Sequence, residues 1–509
     1  MNHTVQEIIY NSSEKYGDLP AVKYLNHKEI VEKTYRELWE DSRKVSHILR
    51  DNGLSGRHIA IVGSSSYLWF SSFLGIINGG SAAVPLDAGL PAEELWDLIN
   101  RSDAECLFCD VSRKDVAEGA AVHCPFVKQV YSMEEEAPLP DMISLKTMLA
   151  QTTVTAEHED TPDPDALCTI MFTSGTTGKS KGVMLSHRNL ADNVDSVYID
   201  TEPGTVLLSV LPIHHAFCLI MDWLKGLSVG TTICINDSLL HMVKNMKRFH
   251  PRVMLMVPLM VETIYKKLKD VNPLLPKKIV AKEAFGGSLE FIFCGGARLD
   301  PLYIEEFMKY GIQIYQGYGM TECAPVISSN GQLADRPGSV GKPLSNCTVR
   351  LVEDEIQVRG SSVMSGYYKM PEETAETLQD GWLCTGDLGR IDEDGFLYIT
   401  GRKKNLIILS NGENISPEEL EGKLALEKLI EEIVITGNGN QLKAHIFPDL
   451  DYAGKKHMNE TRIREELQKI VDKYNENQPT YKRIIGLDIR DVPFEKSSTR
   501  KIKRNLVTG

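Results

Sequence analysis

The residues best suited to chemistry lie in one loop, Thr173 to Gly182, with the sequence TSGTTGKSKG. An apolar run, Leu167 to Phe172, precedes the loop and predicts a strand that ends where the loop begins. Glycines let the backbone approach an anion closely, and the hydroxyl and ammonium groups can donate to phosphate oxygens. A Walker A loop would need Gly at the position of Thr173, so that pattern does not fit. The loop therefore predicts a phosphate site of another kind, with candidate ligands Thr173, Ser174, Gly175, Thr176, Thr177, Gly178 and Lys181.

This loop closely resembles the signature loop of the adenylate-forming, or AMP-binding, superfamily. That superfamily includes acyl-CoA synthetases, peptide-synthetase adenylation domains and beetle luciferases. Four further segments resemble the family's motifs and follow in the family's order, so the resemblance extends from a helix at Tyr35 to Lys501. A flexible Ser/Gly linker is the alternative for the loop alone, but it would explain neither the two lysines nor the preceding strand.

The segment Tyr315 to Glu322, YQGYGMTE, resembles the part of the family that binds adenine and magnesium. The ring of Tyr318 offers a face for a purine, and Glu322 offers the carboxylate oxygens that Mg²⁺ prefers. Thr321 can hydrogen-bond to the α-phosphate. Thr173 is a second candidate ligand for the metal ion. A β-turn with an incidental glutamate is the alternative if the segment is taken alone. The resemblance implies nucleotide contacts from Gln316, Gly317, Tyr318 and Gly319 and, in a second turn, from Gly296 and Ala297.

Two segments near residue 400 resemble the family's ribose and hinge motifs. In Trp382 to Asp387, WLCTGD, the resemblance implies that Asp387 accepts both ribose hydroxyls, which a carboxylate can do strongly. In the sequence GRKK that follows at residue 401, Arg402 would reach the ribose or the phosphates, and Lys404 falls at the hinge. Taken alone, each segment is typical of a polar surface turn.

A basic stretch near residue 500 resembles the loop that carries the family's catalytic lysine, and the matching residue is Lys501. Lys496, Arg500, Lys501, Lys503 and Arg504 lie close together in a chain whose formal net charge is −14. The family usually has Gly immediately before the lysine, whereas this chain has Arg500. A solvated basic tail is the alternative.

The resemblance implies an enzyme that works in two halves. The substrate carboxylate attacks the α-phosphorus of ATP to give acyl-AMP and pyrophosphate, while Mg²⁺, Lys181 and Lys501 offset negative charge. A small domain then rotates about Lys404, removes Lys501 and presents Gly412 to a pantetheine tunnel. The implied substrates and cofactors are ATP, Mg²⁺ and CoA, and the implied products are acyl-CoA and AMP.

The acid is predicted from the segment Leu211 to Phe217, LPIHHAF, which resembles the gate of the family's acyl pocket, with His215 at the gating position. Amino-acid-activating relatives usually carry an Asp shortly afterwards. Here Ala216 to Ile220 is apolar and the first acid is Asp222. An apolar wall suits an acyl chain better than an ammonium group. The His pair, together with Lys403–Asn405 and Ser410–Gly412, resembles bacterial long-chain fatty acid–CoA ligases and predicts a fatty acyl-CoA synthetase. Taken alone, a His pair beside an apolar run is also typical of core packing.

Three other functions share some of these features. An acyl-[acyl-carrier-protein] ligase would have every motif and differ in its contacts to the nucleotide end of CoA. A standalone amino-acid or aryl-acid adenylation enzyme is disfavoured by the missing Asp. A non-enzymatic protein of the same fold would be expected to lack Glu322 or Lys501, and both are present.

The elements that must position these residues alternate between strands and helices up to Gly338. This alternation predicts an α/β fold whose large N-terminal domain has layered, mainly parallel sheets covered by helices. Short strands after Gly338 predict a small β-barrel-like subdomain, and a helix capped by Ser416 begins a small, mobile C-terminal α+β domain. The predicted domains are residues 1–401, with the β subdomain at about 338–401, and residues 402–509. The predicted helices are 35–52, 67–78, 93–101, 242–249, 260–268, 303–310 and 460–474, and the predicted strands include 58–63, 82–86, 104–109, 167–172, 253–257, 291–294, 312–315, 347–352, 355–359, 395–400, 433–436 and 444–448.

Composition narrows the classes of partner. The 509 residues are 42% hydrophobic and 25% charged, as in globular proteins, and the acidic balance disfavours nucleic acid. The uncharged stretch Ser66 to Leu86 contains a Gly pair and Pro85, so it predicts a buried helix, a turn and a strand instead of a membrane span. No signal peptide is visible, and Cys106 and Cys109 are expected in a buried strand. The predicted partners are small molecules (a fatty acid, ATP and CoA), with an acyl carrier protein as the alternative acceptor. No nucleic acid and at most peripheral membrane contact are expected, and the predicted location is the cytoplasm.

Overall fold

A computed structural model describes residues 2–134, 137–140, 142–154, 161–173, 179–269, 275–409, 413–438, 441–496 and 502–507. The chain divides into two compact units. The first contains residues up to 349 together with 358–383 and 392–397, and the second contains 350–357, 384–391 and the residues from 398 onward. The predicted fold class, α/β with parallel-rich sheets and a separate C-terminal α+β part, is confirmed. The predicted boundary at residues 401 and 402 stays a prediction.

One sheet of the first unit has nine strands, which are parallel in the middle and antiparallel at both edges. Its central strands are short and buried, as expected for a sheet that helices cover on both faces. In sheet order its strands are Lys342–Pro343, Val326–Ser329, Gln313–Gly319, Phe291–Cys294, Val253–Met256, Val206–Ser209, Thr232–Ile235, Pro20–Asn26 and Glu29–Thr34.

A second sheet of this unit has eight strands and follows the same plan. Parallel strands form most of it, and two antiparallel strands complete the edge that carries the predicted phosphate loop. In sheet order its strands are Gly366–Tyr367, Lys181–Ser186, Leu167–Thr173, Ala82–Leu86, His58–Val62, Ala104–Cys109, Gln129–Ser132 and Met142–Ser144.

The helices of the first unit begin at the polar caps that the sequence supplies. Thr34 and Glu37 form a reciprocal capping box, and the Ser66 hydroxyl accepts from the Trp69 amide at 3.1 Å. The α-helices are Val5–Tyr16, Tyr35–Asp51, Tyr67–Asn78, Ala92–Arg101, Lys114–His123, Leu145–Gln151, His187–Ser196, Gly226–Ser228, Met242–Phe249, Pro258–Lys269, Lys277–Phe285, Pro301–Lys309 and Pro371–Thr377, and a π-helix spans Phe217–Lys225.

A third sheet has five strands. The hairpin between its last two long strands turns at Asp392, whose carboxylate accepts from the Asp394 and Phe396 amides. The strands are Cys347–Val352, Glu355–Gly360, Leu378–Gln379, Trp382–Ile391 and Leu397–Arg402.

The second unit has its own core, in which helices cover a three-stranded sheet. Leu420, Leu467 and Ile446 are each fully buried there. A separate two-stranded ladder pairs Ile407–Ile408 with Asn414–Ile415. The sheet strands are Ile430–Asn438, Gln441–Pro448 and Ile484–Ile489, and the helices are Pro417–Leu424, Leu450–Lys455 and Glu460–Glu476.

Two predicted details differ from the structure. Ser416 lies at the N-cap position, but it makes no capping bond, because its hydroxyl donates to the Glu418 carboxylate at 2.9 Å. The strand predicted to end at Tyr315 continues to Gly319. Within the described ranges, every helix is too short or too polar to cross a membrane.

Candidate active site

The predicted phosphate loop connects two antiparallel strands of the eight-stranded sheet. Thr173 ends the first strand and pairs with Lys181, which begins the next. The Thr173 hydroxyl donates to the Lys181 carbonyl across a long 3.5 Å contact. Ser174, Gly175, Thr176, Thr177 and Gly178 lie outside the described residues. The structure therefore fixes the two ends of the loop, and one of them carries a lysine.

Glu322 lies in a 3₁₀ turn that follows the strand Gln313–Gly319. The turn packs closely on that strand, since a Cβ on Gly319 would lie only 1.9 Å from the Pro325 carbonyl oxygen. The Glu322 carbonyl accepts from the Met364 amide at 2.9 Å, and the Glu322 side chain is buried. Only glycine fits at position 319. The position of the Glu322 carboxylate therefore depends on this glycine, which lets the turn pack against the strand.

Tyr367 joins these two parts of the site, and sequence reasoning missed it. Its hydroxyl donates to Glu322 Oε1 at 2.8 Å, and Lys181 Nζ lies 4.7 Å from the centre of its ring. The residue comes from a two-residue edge strand that pairs with the strand beginning at Lys181. Its only sequence signal is a short Gly-Tyr-Tyr run, which resembles an ordinary turn.

The chemistry of this site fits a magnesium ion bound together with phosphates. Tyr367 engages Oε1 of Glu322, and no hydrogen bond from a described residue engages Oε2. Mg²⁺ keeps several waters and takes one or two carboxylates beside substrate phosphates. Across the described ranges, no three His, Cys, Asp or Glu side chains cluster as an all-protein metal cage would require. The free oxygen of Glu322 thus suits Mg²⁺, and the nearby Lys181 suits the phosphates bound with it.

The residues predicted to face adenine lie at one edge of the nine-stranded sheet. The strands Phe291–Cys294 and Gln313–Gly319 are parallel neighbours, with Cys294 opposite Gln316. Their carboxyl ends therefore bring the turn at Gly296 and Ala297 beside Gly317 and Tyr318. Gly296 has a φ of +85°, which explains the glycine in that turn. The structure brings these predicted residues together.

The predicted acyl wall begins at His215 and continues into the π-helix Phe217–Lys225. His215 Nδ1 accepts from the Phe217 amide at 3.3 Å, which orients the imidazole. The Phe217 ring lies against the adenine turn, since a Cβ on Gly295 would be 3.1 Å from it. The adjacent His214 lies 3.7 Å from the Asp87 carboxylate, and burial lowers its pKa, partly opposed by Asp87. The segment predicted to form the acyl gate and the turn predicted to face adenine are therefore neighbours.

Asp222, the first acid after His215, is fully buried in the core. Its Oδ2 accepts from the Ser209 hydroxyl at 2.9 Å, and its Oδ1 has no hydrogen-bond partner among the described residues. Burial raises the pKa of Asp222 to about 7, although bonds from Ser209 and Cys218 act in the opposite direction. This acid is therefore a poor partner for a substrate ammonium group.

In the second unit, Asp387 and Arg402 lie together. Arg402 Nε is 3.5 Å from Asp387 Oδ1, and the Asp387 amide donates to the Thr385 hydroxyl. Glu355 braces this region, because one of its oxygens accepts from the Gly386 amide and the other pairs with Lys403 Nζ at 3.1 Å. Sequence reasoning did not identify Glu355. Lys404, the predicted hinge, lies in a short 3₁₀ turn, Lys403–Asn405, directly after the strand that ends at Arg402.

The loop predicted to carry the catalytic lysine is closed by an antiparallel bridge between Lys496 and Ile502. Phe494 and Ile502 pack on Val434 and Phe447 of the sheet, which anchors both ends of the loop. Lys501, Arg500 and Gly412 lie outside the described residues. Three neighbouring basic residues are paired with acids: Lys496 with Glu432, Lys503 with Glu495 and Arg504 with Glu421.

Comparison with known families gives two matches that cover most of the chain. A family described as AMP-binding enzyme matches residues 9–368, and one described as AMP-binding enzyme C-terminal domain matches residues 404–508. A long-chain-fatty-acid–CoA ligase of Salmonella typhimurium is 29% identical over 481 residues, which are 85% of this chain and 82% of that ligase.

Solved structures agree with the observed fold. The ATP-bound structure of MatB from Rhodopseudomonas palustris is similar with a TM-score of 0.83 and 26% identity, over 99% of this chain and 98% of that one. An anthranilate CoA ligase, AuaEII, in complex with anthranoyl-AMP has a TM-score of 0.85 over 98% of this chain and 96% of that one, and at 21% identity it supports the fold alone.

Proposed function

The chain belongs to the AMP-binding enzyme family, and on that premise we propose that it converts a fatty acid, ATP and CoA into acyl-CoA, AMP and pyrophosphate. The observation that carries the choice of acid is the wall behind His215. Ala216, Leu219 and Ile220 are buried and apolar, and the nearest acid along the chain is withdrawn into the core. An alkyl chain gains free energy from such surroundings, whereas an ammonium group would lose its hydration without gaining a counter-charge.

In the first half-reaction the protein positions the reactants and offsets charge. The loop hydroxyls from Thr173 to Thr177, together with Lys181, would hold the β- and γ-phosphates. Glu322 has the free oxygen to hold Mg²⁺, which when bound would neutralise phosphate charge. Thr321 and Lys501 would contact the α-phosphate, where negative charge gathers as the acid attacks.

The proposed nucleoside contacts come from the residues that match the family's motifs. Gly296, Ala297 and the segment Gln316 to Gly319 supply the adenine contacts, and Tyr318 supplies a ring face. Asp387 would accept the ribose hydroxyls. Arg402 Nε lies 3.5 Å from that carboxylate, and its guanidinium group would contact the ribose or the phosphates.

In the second half-reaction the acyl group passes to a thiol. The C-terminal residues would rotate about Lys404, withdraw Lys501 and bring Gly412 to the pantetheine arm. CoA is the proposed acceptor, in preference to a carrier protein, because the curated relatives with similar sequences are named CoA ligases. The same relatives favour a long-chain fatty acid.

Pyrophosphate release measured over a panel of fatty, aromatic and amino acids, with and without CoA, tests this proposal. We expect the highest kcat/KM with a fatty acid and formation of a thioester only when CoA is present. A preference for an aromatic or amino acid would overturn the proposed substrate class. Thioester formation on a carrier protein but not on CoA would overturn the proposed acceptor.

The two half-reactions can be separated by two substitutions. Lys501→Ala is expected to lower adenylate formation by about 10²–10³ while largely sparing thioester formation from supplied acyl-adenylate. Gly412→Leu is expected to show the reverse pattern, because its side chain would block the tunnel. Equal loss in both half-reactions for Lys501→Ala would contradict its role, and normal CoA turnover in Gly412→Leu would contradict the tunnel.

A further inference from the structure

We propose that Tyr367 is a positioning residue that keeps Glu322 and Lys181 apart, unpaired and aimed at Mg·ATP. This inference rests on the proposed function of the same site. Tyr367 contacts both charged groups at once, through its hydroxyl on one side and its ring face on the other. Across the described parts of the chain, neither Glu322 nor Lys181 is engaged in an ion pair.

The position of the tyrosine is itself fixed. Its amide donates to the Thr374 hydroxyl at 2.9 Å, and its strand pairs it with Val183, two residues beyond Lys181. The preceding Gly366 has a φ of +141°, and a Cβ there would meet the Thr374 methyl group at 2.8 Å. The ring is 6% exposed. Glycine at 366 is therefore required for the short strand that delivers this ring.

Glu322 is held to the same segment at two points. Its carbonyl accepts from the Met364 amide at 2.9 Å, and its Oε1 accepts from Tyr367 at 2.8 Å. A hydrogen bond to an ionised carboxylate is stronger than one between neutral groups. The bond fixes the carboxylate so that Oε2 is the oxygen left for a metal ion.

Charge explains why a tyrosine suits this position. An ammonium group and a carboxylate that are free to meet would form an ion pair, and each would then be less available to phosphate or Mg²⁺. Tyr367 offers each charge a neutral partner: the ring face attracts the ammonium group, and the hydroxyl satisfies one carboxylate oxygen. Both charges therefore stay in place for the substrate.

Tyr368 provides a matched control one residue along the chain. Its hydroxyl donates to the Asp103 carboxylate at 2.6 Å, so it makes the same kind of bond to a different acid. Burial, followed by the bond to Asp103, raises the pKa of Tyr368 to about 12. Tyr368→Phe removes one tyrosine–carboxylate bond from the same segment and leaves Glu322 untouched.

The test compares wild type with Tyr367→Phe, Tyr367→Leu and Tyr368→Phe by two measurements. One is the Mg²⁺ concentration that gives half-maximal acid-dependent ATP–pyrophosphate exchange, and the other is the calorimetric Kd for ATP with Mg²⁺ and with EDTA. Tyr367→Phe is expected to raise the half-maximal Mg²⁺ concentration about tenfold and to leave the Kd in EDTA unchanged, because the bond to the carboxylate is lost while the ring beside Lys181 is kept. Tyr367→Leu is expected to weaken ATP binding in EDTA as well, by about threefold, because Lys181 also loses the ring.

Two results would overturn the proposal: an unchanged Mg²⁺ dependence in Tyr367→Phe, or an equal shift in Tyr368→Phe, which would indicate a general effect on the segment. If wild type shows no acid-dependent exchange with any acid of the panel, the proposed function fails instead. The calorimetric comparison with Mg²⁺ and with EDTA would still decide the role of Tyr367 in that case.

Discussion

Glu322 and Asp222 are both buried acids of the first unit, yet their surroundings differ in kind. Glu322 has a tyrosine hydroxyl on one oxygen, a lysine across the tyrosine ring and a second oxygen that no described residue engages. Asp222 lies among apolar side chains, with Ser209 and Cys218 as its partners. Burial alone therefore does not define a functional acid.

The comparison shows that the use of a buried acid depends on its surroundings, which for Asp222 act on its charge mainly through burial. Burial raises the pKa of Asp222 to about 7, so a large part of this side chain is protonated near neutral pH. A protonated carboxyl group holds neither a metal ion nor a substrate ammonium group. Glu322 is suited to a cation, whereas Asp222 is suited to keeping the wall behind the proposed acyl gate uncharged.

The strongest test of this contrast exchanges each acid for its amide. Glu322→Gln keeps a group that can accept from Tyr367 but loses the charge, and we expect adenylate formation to fall by about 10²–10³. Asp222→Asn should leave the rate close to that of wild type. Acid-dependent ATP–pyrophosphate exchange measures both, with calorimetric binding of Mg·ATP as a second readout. Similar losses in the two variants would remove the distinction.

A second test uses the pH dependence of stability. The pKa of Asp222 is raised on folding, so the folded state binds its proton more tightly than the unfolded state does. Its contribution to stability is therefore full below the ordinary aspartate pKa and is lost as pH rises towards about 7. Relative to Asp222→Asn, wild type should lose about 3 kcal/mol in unfolding free energy between pH 4 and pH 7. Denaturant unfolding of both proteins at several pH values checks this, and a constant difference would contradict it.

The smallest expected effect comes from the neighbour of Asp222. Ser209→Ala removes the hydroxyl that donates to Oδ2, which should destabilise the fold by about 1–3 kcal/mol. Because that bond lowers the pKa of Asp222, its loss should raise the pKa further and cost more at pH 8 than at pH 5. Pyrophosphate exchange should not change. The double variant Ser209→Ala with Asp222→Asn measures the coupling free energy between the two side chains. Additive losses of stability would show that the two groups are independent and would contradict the prediction.

Local patterns predicted much of the fold. The helix Tyr67–Asn78 and the strand Ala82–Leu86 have the predicted bounds, because Ser66 caps the helix and a Gly pair ends it. The buried strand at Cys106 and Cys109 is also confirmed. These elements depend on neighbours in the sequence, which a single sequence displays.

The features that were missed depend on residues far apart in the chain. Tyr367 meets Glu322 and Lys181 only because an edge strand pairs across a large sequence separation. The protonation of Asp222 depends on how completely the core surrounds it. The roles of Lys501 and Gly412 stay predictions, since both lie outside the described residues.

The π-helix Phe217–Lys225 has a consequence for how the enzyme's substrate range could evolve. A π-helix closes its hydrogen bonds one residue later than an α-helix, so it has room to lose a residue and remain helical. Deleting one residue there would shorten a π-turn to an α-turn, so the residues beyond it would keep their faces while the side chains of the turn itself would be repositioned. We expect such a deletion to change which acids the enzyme accepts while leaving the predicted nucleotide contacts intact, so that one in-frame mutation could yield an enzyme with a new preference.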